Sequence, residues 1–309
     1  MSITGKLRQA ARVMTDMRWW PFYIQRQFMG CYTRDRLGSW VASNMRPPAK
    51  PTKTPTSTET NHISNMSEIG LSHFKSLLSS EQASDIRNYF LTKSVHDPYR
   101  NDGISFLPNS SNRHPDSHIA HHSPQDIILA PHLLSIANRP DILSVVEQLL
   151  GCKPTIGYLA AWWSYPTQKG AQQAEHFHRD VDDWRFIKLF IYLTDVDANN
   201  GPHIYVHHSS ASPLLREIRR FSDQEVQDAF GSESIRTVTG RAGDGFLEDT
   251  FGIHKGQPVQ EGTRLIFQAV YSMYPLPYGP KKPVLPLSQV SFPDGSQPDA
   301  WINRLYLES

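Results

Sequence analysis

The pattern of apolar and polar positions changes character at Gly151. Ahead of it, apolar residues recur at helical spacing. SEIGLSHFKSLLSSEQASDIRNYFLTK predicts a short strand, a turn and a helix capped by Ser79 or Ser80, with Glu81 and Gln82 in its first turn. PDILSVVEQLL predicts a second helix, and Gly151 is its natural stop. Beyond Gly151 the runs are short, β-branched and aromatic: TIGYLAAWWSYP, RFIKLFIYLTDV, HIYVHHSS, SIRTVTG and TRLIFQAVYSMYP. Gly, Pro, Asn and Asp turns separate them, as in an antiparallel sandwich or barrel. The chain reads as mainly β with flanking helices.

Residues 6–29 interleave five basic side chains with Trp19, Trp20, Phe22, Tyr23 and Phe28. Leu7, Ala10, Ala11, Met14 and Met17 form a helical stripe that Pro21 is expected to interrupt. Such a segment either packs its aromatic side on the main domain or makes peripheral contact with an anionic membrane. RPPAKPTKTPTSTET (46–60) reads as a flexible linker or loosely held arm, so the folded body is expected to begin near residue 62. The tail from Pro275 is Pro-rich and is expected to wrap over the surface. The expected organisation is an N-terminal extension and linker (1–60), a catalytic domain (61–275) and a tail packed on it (276–309).

Composition narrows the class. The chain of 309 residues is 39% hydrophobic and 20% charged, ordinary for a soluble protein. No run approaches the roughly 18 apolar residues of a spanning helix, and the first residues lack the apolar stretch of a secretory signal. Cys31 and Cys152 alone give no disulfide framework, so a cytoplasmic location, free or peripheral to a membrane, is expected. The net charge of +1 conceals a basic leader: residues 1–60 hold 10 Lys/Arg against 3 Asp/Glu. No recognition motif accompanies that charge, so nucleic acid is not an expected partner. GxSxG, GxGxxG and GxxxxGK[ST] are absent.

The candidate chemistry lies in HFHRDVDD (176–183). Side chains two apart on an extended chain share a face, so His178 and Asp180 can converge on one ion. A second imidazole from a partner strand would complete a set of two histidines and one carboxylate, the facial triad of non-haem Fe(II) oxygenases. His254 is the best candidate. The open positions of such a site take a bidentate 2-oxo acid and O2, and Arg264, ten residues on, offers a planar fork for the far carboxylate. His203 and His207 lie about 13 Å apart in an extended chain, too far to share an ion. His176 is a pocket wall or a half-exposed strand histidine. Trp184, Arg185, Asp182 and Asp183 belong to a loop at the site mouth, as substrate contacts or as solvated charges. RHPDSHIAHH (113–122) is a polar loop near the mouth or a second metal site.

HRD at 178–180, LFIYLTDVDANNGPHIYVHHSS at 189–210, His254 and Arg264 together resemble the phytanoyl-CoA dioxygenase-like family of 2-oxoglutarate/Fe(II)-dependent oxygenases. LLSSEQASDIRNYF is similar to that family's first helix. The resemblance covers roughly residues 65–275. It implies a double-stranded β-helix (jelly-roll, cupin-like) core, Fe(II) on His178, Asp180 and His254, and 2-oxoglutarate on Arg264 with Phe190 beside it. Where the family reads PGSH, this chain has His207-His208-Ser209-Ser210. Lys188 either reaches the cosubstrate or snorkels. The implied activity is O2-dependent hydroxylation with release of succinate and CO2. Asp180 favours hydroxylation over halogenation, because halogenating relatives carry a small residue there. The substrate is a small molecule, the basic leader favouring a lipid or glycolipid. The alternatives are a cupin-like sugar-binding or isomerising protein and a non-catalytic, membrane-recruited scaffold.

Overall fold

The structure, a computed structural model, describes residues 11–45, 54–100 and 102–309. Helices α1 (Trp19–Gln25), α2 (Cys31–Asn44) and α3 (Ser57–Glu68) lead into strand β1 (Leu71–Phe74) and helix α4 (Ser80–Leu91). Strands β2 (Val95–His96), β3 (Ser105–Phe106) and β4 (Ile119–His122) precede helices α5 (Pro124–Leu129), α6 (Leu133–Ala137) and α7 (Pro140–Leu150). Then come β5 (Thr155–Ser164), β6 (Phe186–Tyr192), β7 (His203–Val206), α8 (Asp223–Phe230) and β8 (Ile235–Val238). Strands β9 (Gly245–Glu248), β10 (His254–Gly256) and β11 (Arg264–Ser272) follow, and β12 (Leu285–Pro286) pairs with β13 (Leu307–Glu308).

Two antiparallel sheets carry the fold. The larger runs β1-β9-β6-β11-β5-β4-β2-β3 and the smaller β10-β7-β8. Strand alternation divides the large sheet into two faces. Leu189, Ile191, Leu265, Phe267, Leu159 and Ala161 enter the main core with Ile86 and Phe90 of α4 and Ile142, Val145 and Val146 of α7. Lys188, Phe190, Ile266, Gln268, Ala160 and Trp162 face the other way and line a cavity that the smaller sheet closes with His203 and His254. This is why β6, FIKLFIY, is buried along its whole length.

Local signals set the helix ends. Ser79 caps α4 in a reciprocal capping box with Gln82, and Gly151 ends α7 at φ 75°. The expected boundary at residues 60/61 falls inside α3, because Thr56 and Glu59 form a capping box in the Pro/Thr-rich stretch. Residues 46–53 of that stretch lie outside the described residues, as do residues 6–10 of the leader. Pro21 does not interrupt a helix. It is the third residue of α1, where the first turn needs no intrahelical N–H.

The leader's described part docks on the body. Gln25 is fully buried and its amide donates to the Val181 carbonyl at 2.8 Å. Arg34 donates to the carbonyls of Gln25 and Asp183 and lies 4.4 Å from the Phe251 ring centre. Phe28 meets the Trp184 ring, and Arg185 donates to Asp35 and to Ser39 at 2.6 Å each. Trp184 and Arg185, expected at the site mouth, fasten the N-terminal helices. Among the described residues no helix is long and apolar enough to cross a membrane.

Asp183, expected to be a mouth charge, is buried beneath this junction. Its carboxylate accepts from the backbone N–H of Trp184 at 2.8 Å and of Tyr274 at 2.7 Å. Burial pushes its carboxyl up to about 7, against about 4 in an unfolded chain. The folded state keeps a proton that the unfolded state releases over that interval. Its stabilising contribution is complete below about pH 4 and lost as pH rises through about 7. The unfolding free energy of wild type minus that of Asp183→Asn should thus fall between these values in urea titrations; a flat or rising difference contradicts the assignment.

Candidate metal and anion site

The run 176–183 is not a regular strand. A single antiparallel bridge joins His178 to His254, with both backbone N–H···O bonds at 3.0 Å. Asp180 N–H donates to the Thr250 carbonyl at 2.9 Å. These bonds place the two imidazoles 4.3 Å apart, centre to centre. One ligand atom from each of His178, Asp180 and His254 lies within 4.8 Å of the others.

The backbone also fixes which nitrogen faces inward. His178 Nδ1 contacts the His176 carbonyl at 2.9 Å and His254 Nδ1 the Gly252 carbonyl at 3.0 Å. A carbonyl only accepts, so Nδ1 carries the proton and Nε2 keeps a free lone pair. Both Nε2 atoms face Asp180, at 3.6 and 3.3 Å from its oxygens. Burial, then the neighbouring His254, pushes His178 down to about 3, which keeps it neutral. Two imidazoles turned inward through Nε2 and a carboxylate suit a divalent first-row metal.

Lys188 does not snorkel. It is 6% exposed, and its Nζ donates to Asp180 at 2.5 Å and sits 3.1 Å from Asp182. Burial works against ionisation of Asp180, yet Lys188 and the imidazoles hold its carboxyl well below the usual range. Asp182 is likewise no solvated mouth charge. Phe190 lies on the cavity floor, 5.3 Å from the His203 ring and 5.1 Å from Phe246. His203 lines the cavity, its ring 5.6 Å from that of His254. Behind it is Glu248, fully buried, with an oxygen 2.6 Å from His203 Nε2. That distance suits an ion pair, but neither atom has an aligned hydrogen bond. Burial pushes Glu248 up to about 8 and His203 down to about 3, so we read the contact as neutral.

Arg264 closes the far end. It is directly opposite Ser164 in the β11–β5 register, donates to Ser164 Oγ at 3.0 Å and to the Gly201 carbonyl, and is 7% exposed. Its Nε has no partner, and among the described residues no carboxylate pairs with it. A buried guanidinium without a counter-ion is costly, so this end is built to receive an anion. The cavity that holds the triad and Arg264 has a volume of about 240 Å³.

His176 is outside that cavity. Its side chain is exposed on a separate hollow with Lys255 and Asp223, and only its carbonyl reaches the triad. The 113–122 run separates: His118 and His121 line the cavity mouth, and His122 accepts from Trp163 Nε1 in the core. Among the described residues only His178, Asp180 and His254 form a group able to hold an ion. Sequence reasoning missed Ser164, whose signal was its place at the end of a cavity-facing alternation; the expected place of the 113–122 run near the mouth holds for His118 and His121.

No family model matches the chain, and no curated protein matches it in sequence. Solved structures do. The non-heme alpha ketoglutarate-dependent epimerase SnoN from nogalamycin biosynthesis aligns at 16% identity and a TM-score of 0.50, over 69% of this chain and 82% of that one. Its complex with Fe3+, alpha ketoglutarate and nogalamycin RO gives 16% and 0.51, over 69% and 83%. HygX from Streptomyces hygroscopicus, with nickel and 2-oxoglutarate bound, gives 15% and 0.50, over 77% and 95%. The chain thus shares the fold of 2-oxoglutarate-dependent non-heme iron enzymes.

Removing the Lys188 cation takes the ammonium partner from two partly buried carboxylates. With chelator present at pH 8, Lys188→Met should cost about 3–5 kcal/mol in urea unfolding. The deficit should shrink as pH falls and the acids protonate.

Proposed function

We propose that this chain is an Fe(II)- and 2-oxoglutarate-dependent dioxygenase of the phytanoyl-CoA dioxygenase-like type. Its core would be a double-stranded β-helix within the expected 61–275 unit, extended at the N-terminal side to include α3. The observation that carries the reading is the buried, uncompensated Arg264 on the same cavity as the His178/Asp180/His254 group. A metal alone explains the triad but not the cation; a 2-oxo diacid needs both. The metal and 2-oxoglutarate held by SnoN and HygX support the same reading.

Each residue then has a defined task. His178, Asp180 and His254 hold the iron through Nε2, a carboxylate oxygen and Nε2. Lys188 keeps Asp180 ionised and fixes its rotation. Arg264 and the Ser164 hydroxyl receive the distal carboxylate of the cosubstrate. Phe190 shields the passage between the two ends. When bound, iron, 2-oxoglutarate and O2 supply the oxidising power to hydroxylate a substrate C–H bond, with succinate and CO2 released. Oriented ligands and the exclusion of water around them are the protein's part.

The test is anaerobic addition of Fe(II) and 2-oxoglutarate. A weak visible charge-transfer band is expected in wild type and should vanish in Asp180→Ala and His254→Ala. Arg264→Met should keep metal binding but weaken 2-oxoglutarate by about 10²-fold or more, as expected when a charge-assisted bidentate contact worth about 3 kcal/mol is lost. Its metal-free form should be at least as stable as wild type, since a buried unpaired charge is gone. Absence of the band, together with no succinate over a substrate panel, would refute the dioxygenase reading.

A further inference from the structure

The outer half of the cavity is walled by β4, β5 and the segments around Tyr99 and Glu175. His121 stands directly opposite Trp162 in the β4–β5 register, and their rings stack at 5.5 Å and 11°. Tyr99 stacks on His118 at 5.5 Å and 10°. Tyr158 and Trp162 lie on one face of β5, about 13 Å apart along an extended strand, with only Ala160 between them. The result is a mouth lined by aromatic rings, with the small Ala160 between two of them.

Cross-strand packing explains the stacked pairs but not the polar atoms around them. The Tyr99 and Tyr158 hydroxyls, the Trp162 indole N–H, the His121 imidazole and the Gln268 carboxamide have no protein hydrogen-bond partner among the described residues. Glu175 commits one oxygen to the Gln172 N–H at 2.7 Å. Aliphatic lining of the whole cavity is limited to Ile119, Ile266 and two alanines. An alkyl chain entering here would strip water from these groups and give nothing back. A ring with C–H faces and hydroxyls at its edge meets both features: the planes take its faces, the free donors and acceptors its edge.

From these groups we infer that the mouth is a subsite for a polyhydroxylated ring, a sugar or cyclitol unit, presented to the metal end of the cavity. This rests on the dioxygenase reading of the inner half. It departs from the lipid or glycolipid expected from the leader, and the choice of a ring over a lipid rests on the cavity lining alone.

Saturation-transfer NMR tests it on the full chain with Zn(II), a diamagnetic stand-in, and 2-oxoglutarate. The probes are methyl glycosides, inositols and their amino-bearing counterparts, with dodecanoate as the aliphatic control. At least one ring probe should receive saturation, strongest at the C–H protons of one face, and dodecanoate none. Trp162→Leu and Gln268→Leu should each weaken the ring probe tenfold or more, while transfer to the 2-oxoglutarate methylenes persists and reports an intact inner site. Silence from every ring probe overturns the inference, as do unchanged affinities in both variants or a dodecanoate signal that these variants leave intact. Ring binding without any 2-oxoglutarate signal in wild type would instead sink the dioxygenase reading and leave the subsite standing.

Discussion

Lys188 is the charge on which this arrangement depends. A lysine buried on the central strand of a sheet is tolerable only if acids meet it there. Asp180 and Asp182 do so from one turn, both on the same side because they are two apart. That clamp aligns Asp180 with the two imidazoles. It also turns Asp183 the other way, so that its carboxylate anchors Tyr274 and its carbonyl receives Arg34. A few consecutive residues therefore join the triad to the central strand on one side and to the N-terminal helices on the other.

The large sheet separates stability from chemistry by alternation alone. Odd positions of β6 and β11 fill the core against α4 and α7, and on the other face Lys188, Phe190, Arg264, Ile266 and Gln268 reach into the cavity. Charged groups on that inner face (Lys188, Glu248 and Arg264) are the buried polar residues an apolar sheet would lack. Lys188 finds acids, Glu248 takes the neutral form, and Arg264 alone is left wanting an anion.

Much of the fold was legible in local pattern. The antiparallel runs after Gly151, the Ser79 cap and the stop at Gly151 all rest on short-range chemistry. Convergence of His178, Asp180 and His254 was legible as residue types at suggestive spacing, although the bridge that joins them is tertiary. What escaped was decided by partners far away in sequence. Nothing in VDDWRF says that a leader more than a hundred residues upstream will cover Trp184 and Arg185. Composition misled at 56–60, where Pro and Thr outweighed the Thr56/Glu59 box, and at Pro21, where a first-turn proline read as a breaker. Of the two readings of His176, the structure gives the exposed one: the chain bends at that residue, so its side chain leaves the face of His178.

The two imidazoles owe their orientation to carbonyls of residues two positions earlier, not to any side chain. Readiness to ligate is thus written into the main chain, which substitutions of neighbouring side chains leave in place. The aromatic mouth, by contrast, hangs on β4, β5 and loops that contribute none of the three ligating atoms. The molecule is modular in this sense: the mouth can change its ligand without touching the main-chain bonds that orient the centre.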